Sequence, residues 1–301
     1  VDGKSEGKVD KEPFEWADIA LEAGEHELTA VAKSAASIDS YFDDRLLEAV
    51  QFSVARLAKP IMREVIRAGK QTITLSKFES LNNGLVQSAV PGHQHADFYR
   101  LMECYYQYAC TEAKGEEAPP LSKIISGIFT LKGVWLDTIA LLLAVTIESL
   151  LNEPAYKKLG APDDKYCKEI DGFIENLKNI ESLSQSLKTR AQNSLSNMKS
   201  SSASDRLHVL AQGDVVDQED IKAWKFIRNK AAHGALSVDP SAVQSLLDRV
   251  NRLVVMAYKL VFFRISYQGL YTDYATRGWP EVKFDSVACK LKLDTLPLKT
   301  D

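Results

Sequence analysis

The sequence predicts an all-α protein. Glycine and proline, which interrupt helices, are sparse, with 15 and 10 copies in 301 residues. Hydrophobic residues make up 45% of the chain, enough for a sizeable core. Over long stretches they recur every three or four positions, which is the spacing of one helix face. We therefore expect a four-helix bundle with additional N-terminal helices and a short irregular or weakly β C-terminal tail.

The N-terminal region, residues 14–115, is predicted to be mostly helical. Residues 14–36 have apolar positions on helical spacing. A second helix is expected from Ser37 or Asp39 to Gly69, with a kink at Pro60. The alternating stretch "QTITLSKF" predicts a strand, and residues 95–113 predict an aromatic-rich helix.

The chain begins with a polar, lysine-containing stretch that predicts a disordered lead-in at residues 1–13. Because there is no initiator methionine, we expect an upstream sensor domain of the same protein to be missing from this chain. Residues 14–115 are then either a hinge next to that domain or an elaboration of the bundle.

The segment "GEEAPP" marks the best internal boundary, so the bundle is placed at residues 116–270 and the tail at 271–301. Each predicted bundle helix carries a periodic apolar stripe. The second stripe, which extends from Ile174 to Met198, is typical of a bundle core. The four predicted helices span residues 121–152, 163–199, 217–233 and 241–266.

Composition excludes several function classes. The formal net charge is −4, so any nucleic-acid site must be a local patch. The four cysteines form no CxxC pair, which favours a reducing, cytoplasmic environment without disulfides. The longest apolar run is broken by Asp137 and Glu148 and predicts a buried helix rather than a membrane span.

Familiar cofactor and metal motifs are also missing from the sequence. It has no phosphate-binding glycine loop, no dinucleotide fingerprint and no HExxH zinc motif. His93 and His95 lie close together, but no cysteine or acidic cluster near them completes a ligand set. We therefore expect neither a cofactor nor a metal ion.

The strongest candidate for chemistry is "KAWKFIRNKAAHGAL", residues 222–236. Asn229 and His233 are four residues apart and share a helix face. Arg228 lies about 140° around the axis from His233, so both reach one pocket mouth if the last turn opens at Gly234. The alternative is an ordinary helix end, with a glycine C-cap and a histidine that suits the helix dipole.

With Arg228, Asn229 and His233 in this order, the chain resembles the HEPN superfamily, whose signature is an arginine, a polar residue, a short gap and a histidine. The stretches "AVTIESLLN" (residues 144–152) and "WKFIRNKAAHG" (residues 224–234) look most like its Apea-like branch. The resemblance covers about residues 95–268. It implies a homodimer of helical bundles with a composite site, and for many members a metal-independent ribonuclease.

The resemblance implies a specific reaction. The RNA 2′-OH attacks the adjacent phosphate, leaving a 2′,3′-cyclic phosphate and a 5′-OH, so DNA resists cleavage. His233 acts as base or acid near neutral pH, Arg228 stabilises the phosphorane, and Asn229 orients the histidine or the phosphate. By analogy the protein is an abortive-infection, anti-phage defence or toxin effector.

Neighbouring residues have predicted supporting roles with open alternatives. Lys222, Lys225 and Lys230 would bind the RNA backbone, or they form an ordinary solvated face. Trp224 would stack on a base, or it belongs to the core. Glu148 on its apolar helix needs a partner, and Arg228 or a neighbouring backbone group is the expected one, the alternative being a partly exposed glutamate on a helix edge.

Two other function classes stay open. In the first, the bundle is a non-catalytic HEPN-type module that serves dimerisation or binds RNA or a nucleotide. In the second, it is a helical scaffold unrelated to that superfamily. The position of His233 and Arg228 relative to a second copy would separate the first of these from a nuclease.

Overall fold

A computed structural model describes residues 12–14, 17–23, 28–33, 41–57, 62–67, 70–75, 86–91, 93–115, 117–129, 134–232 and 242–295. Within these ranges the chain is mostly helical, which confirms the predicted class. Short strands lie before, among and after the helices.

The first described elements are strands, so the helix predicted at residues 14–36 is wrong. They form an antiparallel sheet in which Leu21 is paired with Ala30. The stretch "ADIALEA" also alternates apolar and polar residues, and over seven residues this pattern overlaps with helical spacing. The segment forms a strand because it pairs with a neighbouring strand. The strands are β1 (Glu12–Phe14), β2 (Ala17–Ala23) and β3 (Leu28–Lys33).

The helix predicted to reach Gly69 ends much earlier. Helix α1 (Phe42–Val54) stops because Ala55 adopts the left-handed conformation, with φ of 52°. An antiparallel hairpin follows, made of β4 (Met62–Arg67) and β5 (Lys70–Leu75), and β5 confirms the strand predicted in "QTITLSKF". Pro60 lies outside the described residues.

Helix α2 (His95–Glu112) confirms the predicted aromatic helix and packs against α1. Phe52 of α1 stacks on Tyr105 of α2, with ring centroids 4.6 Å apart. Phe52 also contacts Phe129 and Tyr258, which belong to the bundle half of the chain. The hydrophobic core is therefore continuous across the predicted boundary at residue 115.

The first predicted bundle helix is two helices with a break between them. Helix α4 (Leu136–Leu151) packs one side against α3 (Pro120–Phe129) and later helices, and the side that it exposes is apolar as well. Tyr156 follows it and is fully buried, and its hydroxyl donates a hydrogen bond of 2.5 Å to the Leu260 carbonyl. These helices are α3 (Pro120–Phe129), α4 (Leu136–Leu151) and the short α5 (Pro154–Lys157).

The predicted helix at residues 163–199 is a hairpin of α6 (Asp164–Lys178) and α7 (Gln185–Asn197). Ser184 caps α7, and its hydroxyl accepts a hydrogen bond from the Leu187 amide. None of the α7 side chains is buried, and Leu187 and Met198 are about half exposed. The stripe therefore lies between two helices at the surface, and the prediction that it forms the bundle core is wrong.

The remaining helices complete the bundle. Helix α10 is the longest and packs along α4 and α9. A β-hairpin follows, and Tyr271 and Phe284 from it enclose Phe262 of α10. The predicted weakly β tail is thus a hairpin and a final helix. The elements are α8 (Ala203–Gln212), α9 (Gln218–Ala232), α10 (Val243–Arg264), β6 (Gln268–Thr272), β7 (Glu281–Asp285) and α11 (Ser286–Asp294).

None of the helices in the described residues combines the length and the apolar content needed to cross a bilayer.

Candidate functional site

Helix α9 carries the arginine of the candidate motif, and its apolar side fixes it to the bundle. Ile221, Trp224 and Ile227 are buried at three-residue spacing. The Trp224 indole N–H donates a hydrogen bond of 3.1 Å to the Ala144 carbonyl of α4. Because Trp224 is 2% exposed, it cannot stack on a base, and the prediction of an RNA contact there is wrong.

Arg228 lies beside α4 and forms a two-point ion pair with Glu148. Its Nε donates to Glu148 Oε2 at 2.9 Å and its Nη2 donates to Glu148 Oε1 at 3.1 Å. The predicted pairing of these two residues is confirmed. The guanidinium also lies 5.6 Å from the centre of the Trp224 ring. The two stretches of sequence that carry the family resemblance therefore contact each other in the fold.

The ion pair holds Arg228 at the surface rather than burying it. The hydrogen bonds from Arg228 lower the pKa of Glu148, against a smaller opposing effect of partial burial, so the carboxylate stays charged. The Arg228 side chain is 48% exposed. A guanidinium has five N–H donors, and the pair occupies two of them. Among the described residues the other three donors have no hydrogen-bond partner, so they can receive an anion that approaches from solvent.

Of the other two motif residues, the structure describes Asn229 and not His233. Asn229 is exposed on α9 next to Arg228. His233 and Gly234 lie outside the described residues, since the description of α9 ends at Ala232. The structure therefore places Arg228 and Glu148 together, and the approach of His233 to Arg228 remains a prediction.

The predicted RNA-binding lysines have separate neighbours. Lys222 forms an exposed ion pair with Glu219, at 2.7 Å. The Lys225 Nζ lies 3.0 Å from the His208 Nε2 of α8. Each of these two lysines of α9 thus has a neighbour of its own.

Lys230 lies on yet another side of α9. Its Nζ is 4.9 Å from the centre of the Phe226 ring, and the Arg249 guanidinium approaches the same ring to 3.6 Å. The three lysines of α9 therefore have three different neighbours. Their predicted contact with RNA is untested.

Helix α4 presents an apolar face to solvent next to the ion pair. Leu141, Leu142 and Val145 are 40%, 39% and 51% exposed, and Trp135 just before the helix is 83% exposed. Val145 and Glu148 are three residues apart and share a helix face. Large apolar side chains grouped in this way on a surface are typical of an interface with another molecule.

A buried ionic cluster at the start of α9 was missed by the sequence analysis. The Lys259 ammonium of α10 lies 2.6 Å from Asp217 and 3.5 Å from Asp220, and Arg252 lies 3.5 Å from Asp220. Asp220 and Lys259 are 1% and 8% exposed. The available signal was Lys259 itself, a charged residue within the longest apolar stripe. The cluster fixes the start of α9 on α10.

No group of three or more histidine, cysteine or acidic side chains within the described ranges is arranged to hold a metal ion. His93, which the sequence placed near His95 as a metal alternative, has its Nε2 2.8 Å from a Glu281 carboxylate oxygen.

Comparison of the chain with protein-family models, with curated proteins and with solved structures finds no match. The resemblance to HEPN proteins therefore depends on the sequence stretches alone.

Proposed function

We propose that the protein is a metal-independent endoribonuclease of the HEPN type that acts as a homodimer. The observation that carries the proposal is the fixed position of Arg228. Glu148 holds it at the surface, where its other three N–H donors have no partner within the part of the chain that the structure describes, and it lies five residues before His233 in the sequence. An arginine held in this way suits a phosphate that gains negative charge during reaction.

The proposed reaction needs no external nucleophile. One histidine takes the proton of the RNA 2′-OH, and the 2′ oxygen forms a bond to phosphorus. The bond from phosphorus to the 5′ oxygen breaks, and that oxygen takes a proton from a second histidine. Two copies of His233, one from each subunit, supply the base and the acid. Arg228 neutralises the charge on the phosphorane, and Asn229 orients His233 or the phosphate.

Glu148 acts here as a positioning residue. Its carboxylate offsets part of the Arg228 charge, which weakens attraction of RNA from a distance. In exchange it fixes the guanidinium plane, so less conformational entropy is lost when phosphate binds. The pair therefore favours a defined phosphate geometry over strong nonspecific binding.

The exposed face of α4 supports a second copy of the chain as the partner. The apolar side chains Leu141, Leu142 and Val145 adjoin the Glu148–Arg228 pair. A twofold contact through this face would bring two copies of Arg228 close together. The biological role we propose is that of a defence or toxin effector.

The activity is tested by incubating the chain with single-stranded RNA in EDTA. We expect cleavage, with a 2′,3′-cyclic phosphate and a 5′-OH identified by mass spectrometry, and no cleavage of DNA. RNA that survives in EDTA but is cut after metal addition would contradict the mechanism.

Arg228→Ala and His233→Ala are expected to lower the cleavage rate by about 10²- to 10⁴-fold, the usual contribution of acid–base groups. The matched controls are Arg190→Ala and His95→Ala, which remove exposed side chains of the same types elsewhere. Circular dichroism checks folding in each case. A chain that binds RNA and never cuts it would instead be the non-catalytic module, with the Glu148–Arg228 pair serving only to join two helices.

A further inference from the structure

An open cleft lies on a side of α9 different from the one that carries Arg228. It is bounded by the first part of α9 near Lys222, by α10 from Gln244 to Arg252, and by the turn between β6 and β7. Its volume is about 960 Å³. This is at the upper end of the range of ligand sites in proteins, about 300–1,000 Å³, so the cleft has room for more than one small group.

The turn that forms one wall is held in a single shape by Asp273. The Asp273 amide donates to the Pro280 carbonyl at 2.9 Å. The Asp273 carboxylate accepts hydrogen bonds from the Ala275 amide and the Thr276 hydroxyl, at 3.0 and 2.7 Å. A turn closed at both ends in this way presents its side chains in fixed positions.

Trp279 is the most conspicuous of those side chains. It is 57% exposed, and its backbone has a φ of 52°, a left-handed conformation that is unfavourable for a bulky residue. The edge of its ring meets Tyr274, with centroids 5.6 Å apart at 70°. The fold therefore tolerates backbone strain at a position where a large aromatic ring faces the cleft, and such strain often marks a functional position.

The cleft also has an excess of positive charge in a chain that is acidic as a whole. Among the described residues Arg277 has no ion-pair partner, and it stands two residues before Trp279 on the same turn. Arg249 lies across the cleft, flat against Phe226. The lining holds four cations and two carboxylates, namely Lys222, Arg249, Arg252, Arg277, Glu219 and Asp248.

We propose that this cleft binds single-stranded RNA, with a base stacked on Trp279 and the adjoining phosphates held by Arg277 and Arg249. An exposed aromatic ring with arginines beside it is the combination that recognises a base and its phosphate. The open side of the cleft suits a strand that enters and leaves. The choice of RNA over a free nucleotide depends on the proposed function.

The test uses a fluorescently labelled 2′-O-methyl oligoribonucleotide and the full chain, with binding followed by anisotropy. This probe cannot be cleaved by 2′-OH attack, so binding is measured whether or not the protein is a nuclease. Trp279→Gly removes the ring and relieves the backbone strain, so the fold should persist. We expect its binding to weaken about 5- to 100-fold. Phe173→Ala removes an aromatic ring of similar exposure on α6, outside the cleft, and should leave binding unchanged.

The contribution of Arg277 is tested by salt dependence. Arg277→Gln should reduce the slope of log K against log salt concentration by about 0.7, the contribution of one phosphate contact on a single strand. Arg190→Gln on α7, an exposed arginine outside the cleft, should leave the slope unchanged.

Three results are decisive. Unchanged binding by both Trp279→Gly and Arg277→Gln overturns the proposal. Adenosine monophosphate that binds as tightly as the oligonucleotide, in a Trp279-dependent way, also overturns it and assigns the cleft to a free nucleotide. Loss of oligonucleotide binding in these variants supports it, even if unmodified RNA is never cut. If the oligonucleotide binds in this way and unmodified RNA is never cut, the nuclease proposal is wrong and the proposed RNA-binding cleft is retained.

Discussion

Lys222 of α9 and Lys259 of α10 show how burial decides the value of an ion pair. Lys222 pairs with Glu219 in solvent, whereas the buried Lys259 pairs with the buried Asp220 and with the exposed Asp217. Burial alone lowers the pKa of Lys259, but the two aspartates outweigh it and raise that pKa, so the ammonium stays charged. Burial likewise raises the pKa of Asp220. Each buried charge therefore depends on the other.

We expect Lys259→Met to lower the free energy of unfolding by about 3–5 kcal/mol, because it leaves the Asp220 carboxylate buried without its main partner. The control, Lys222→Met, removes an exposed pair and should cost at most about 1 kcal/mol. Urea denaturation measures both.

Adding Asp220→Asn to Lys259→Met should restore part of the lost free energy of unfolding, since it removes the unpaired charge. Equal changes in the free energy of unfolding for Lys259→Met and Lys222→Met would show that burial of the Lys259–Asp220 pair does not affect its contribution to stability.

At the same scale, the sequence predicted the Glu148–Arg228 pair for a sound reason. A carboxylate on an apolar helix needs a partner, and the family resemblance pointed to Arg228 or a neighbouring backbone group. The sequence could not predict the neighbours of Lys222, Lys225 and Lys230, because each neighbour depends on the element packed beside α9. The cleft around Trp279 could not be predicted from the sequence either, since its walls come from three separate elements.

Among the elements, the hairpin of α6 and α7 differs most from its prediction. The apolar spacing at residues 174–198 correctly indicates helices with an apolar side. Periodicity does not say what covers that side, and here the two helices cover each other in part. The break at Ser184, a good helix N-cap, was a signal that the prediction passed over.

We expect this hairpin to open long before the bundle unfolds. Helix α7 has no buried side chain, and α6 has only Ile170. Backbone amides of α7 should therefore exchange with deuterium at least about 100-fold faster than those of α10, which is buried along most of its length. Hydrogen exchange read by mass spectrometry measures this. Equal protection of α7 and α10 would mean that another molecule covers the hairpin.

For the molecule as a whole, the composite site that we propose would require a second copy of the chain on the α4 face. We predict that Val145→Glu converts the dimer to a monomer and abolishes RNA cleavage, because it buries a charge in an apolar contact. Analytical ultracentrifugation measures the mass.

The matched control is Phe173→Glu, which places the same charge on the exposed apolar side of α6. It should leave both the mass and the activity unchanged. A dimer that survives Val145→Glu and dissociates with Phe173→Glu would move the interface to the hairpin and leave Arg228 far from its twofold mate.

The continuous core limits where recombination can divide this chain during evolution. Phe52 and Tyr105 lie before residue 115, yet they contact or adjoin Phe129 and Tyr258 beyond it. A recombination joint at the "GEEAPP" segment would separate these rings and leave each half with an open apolar surface. The helices α1 and α2 must therefore be inherited together with the bundle.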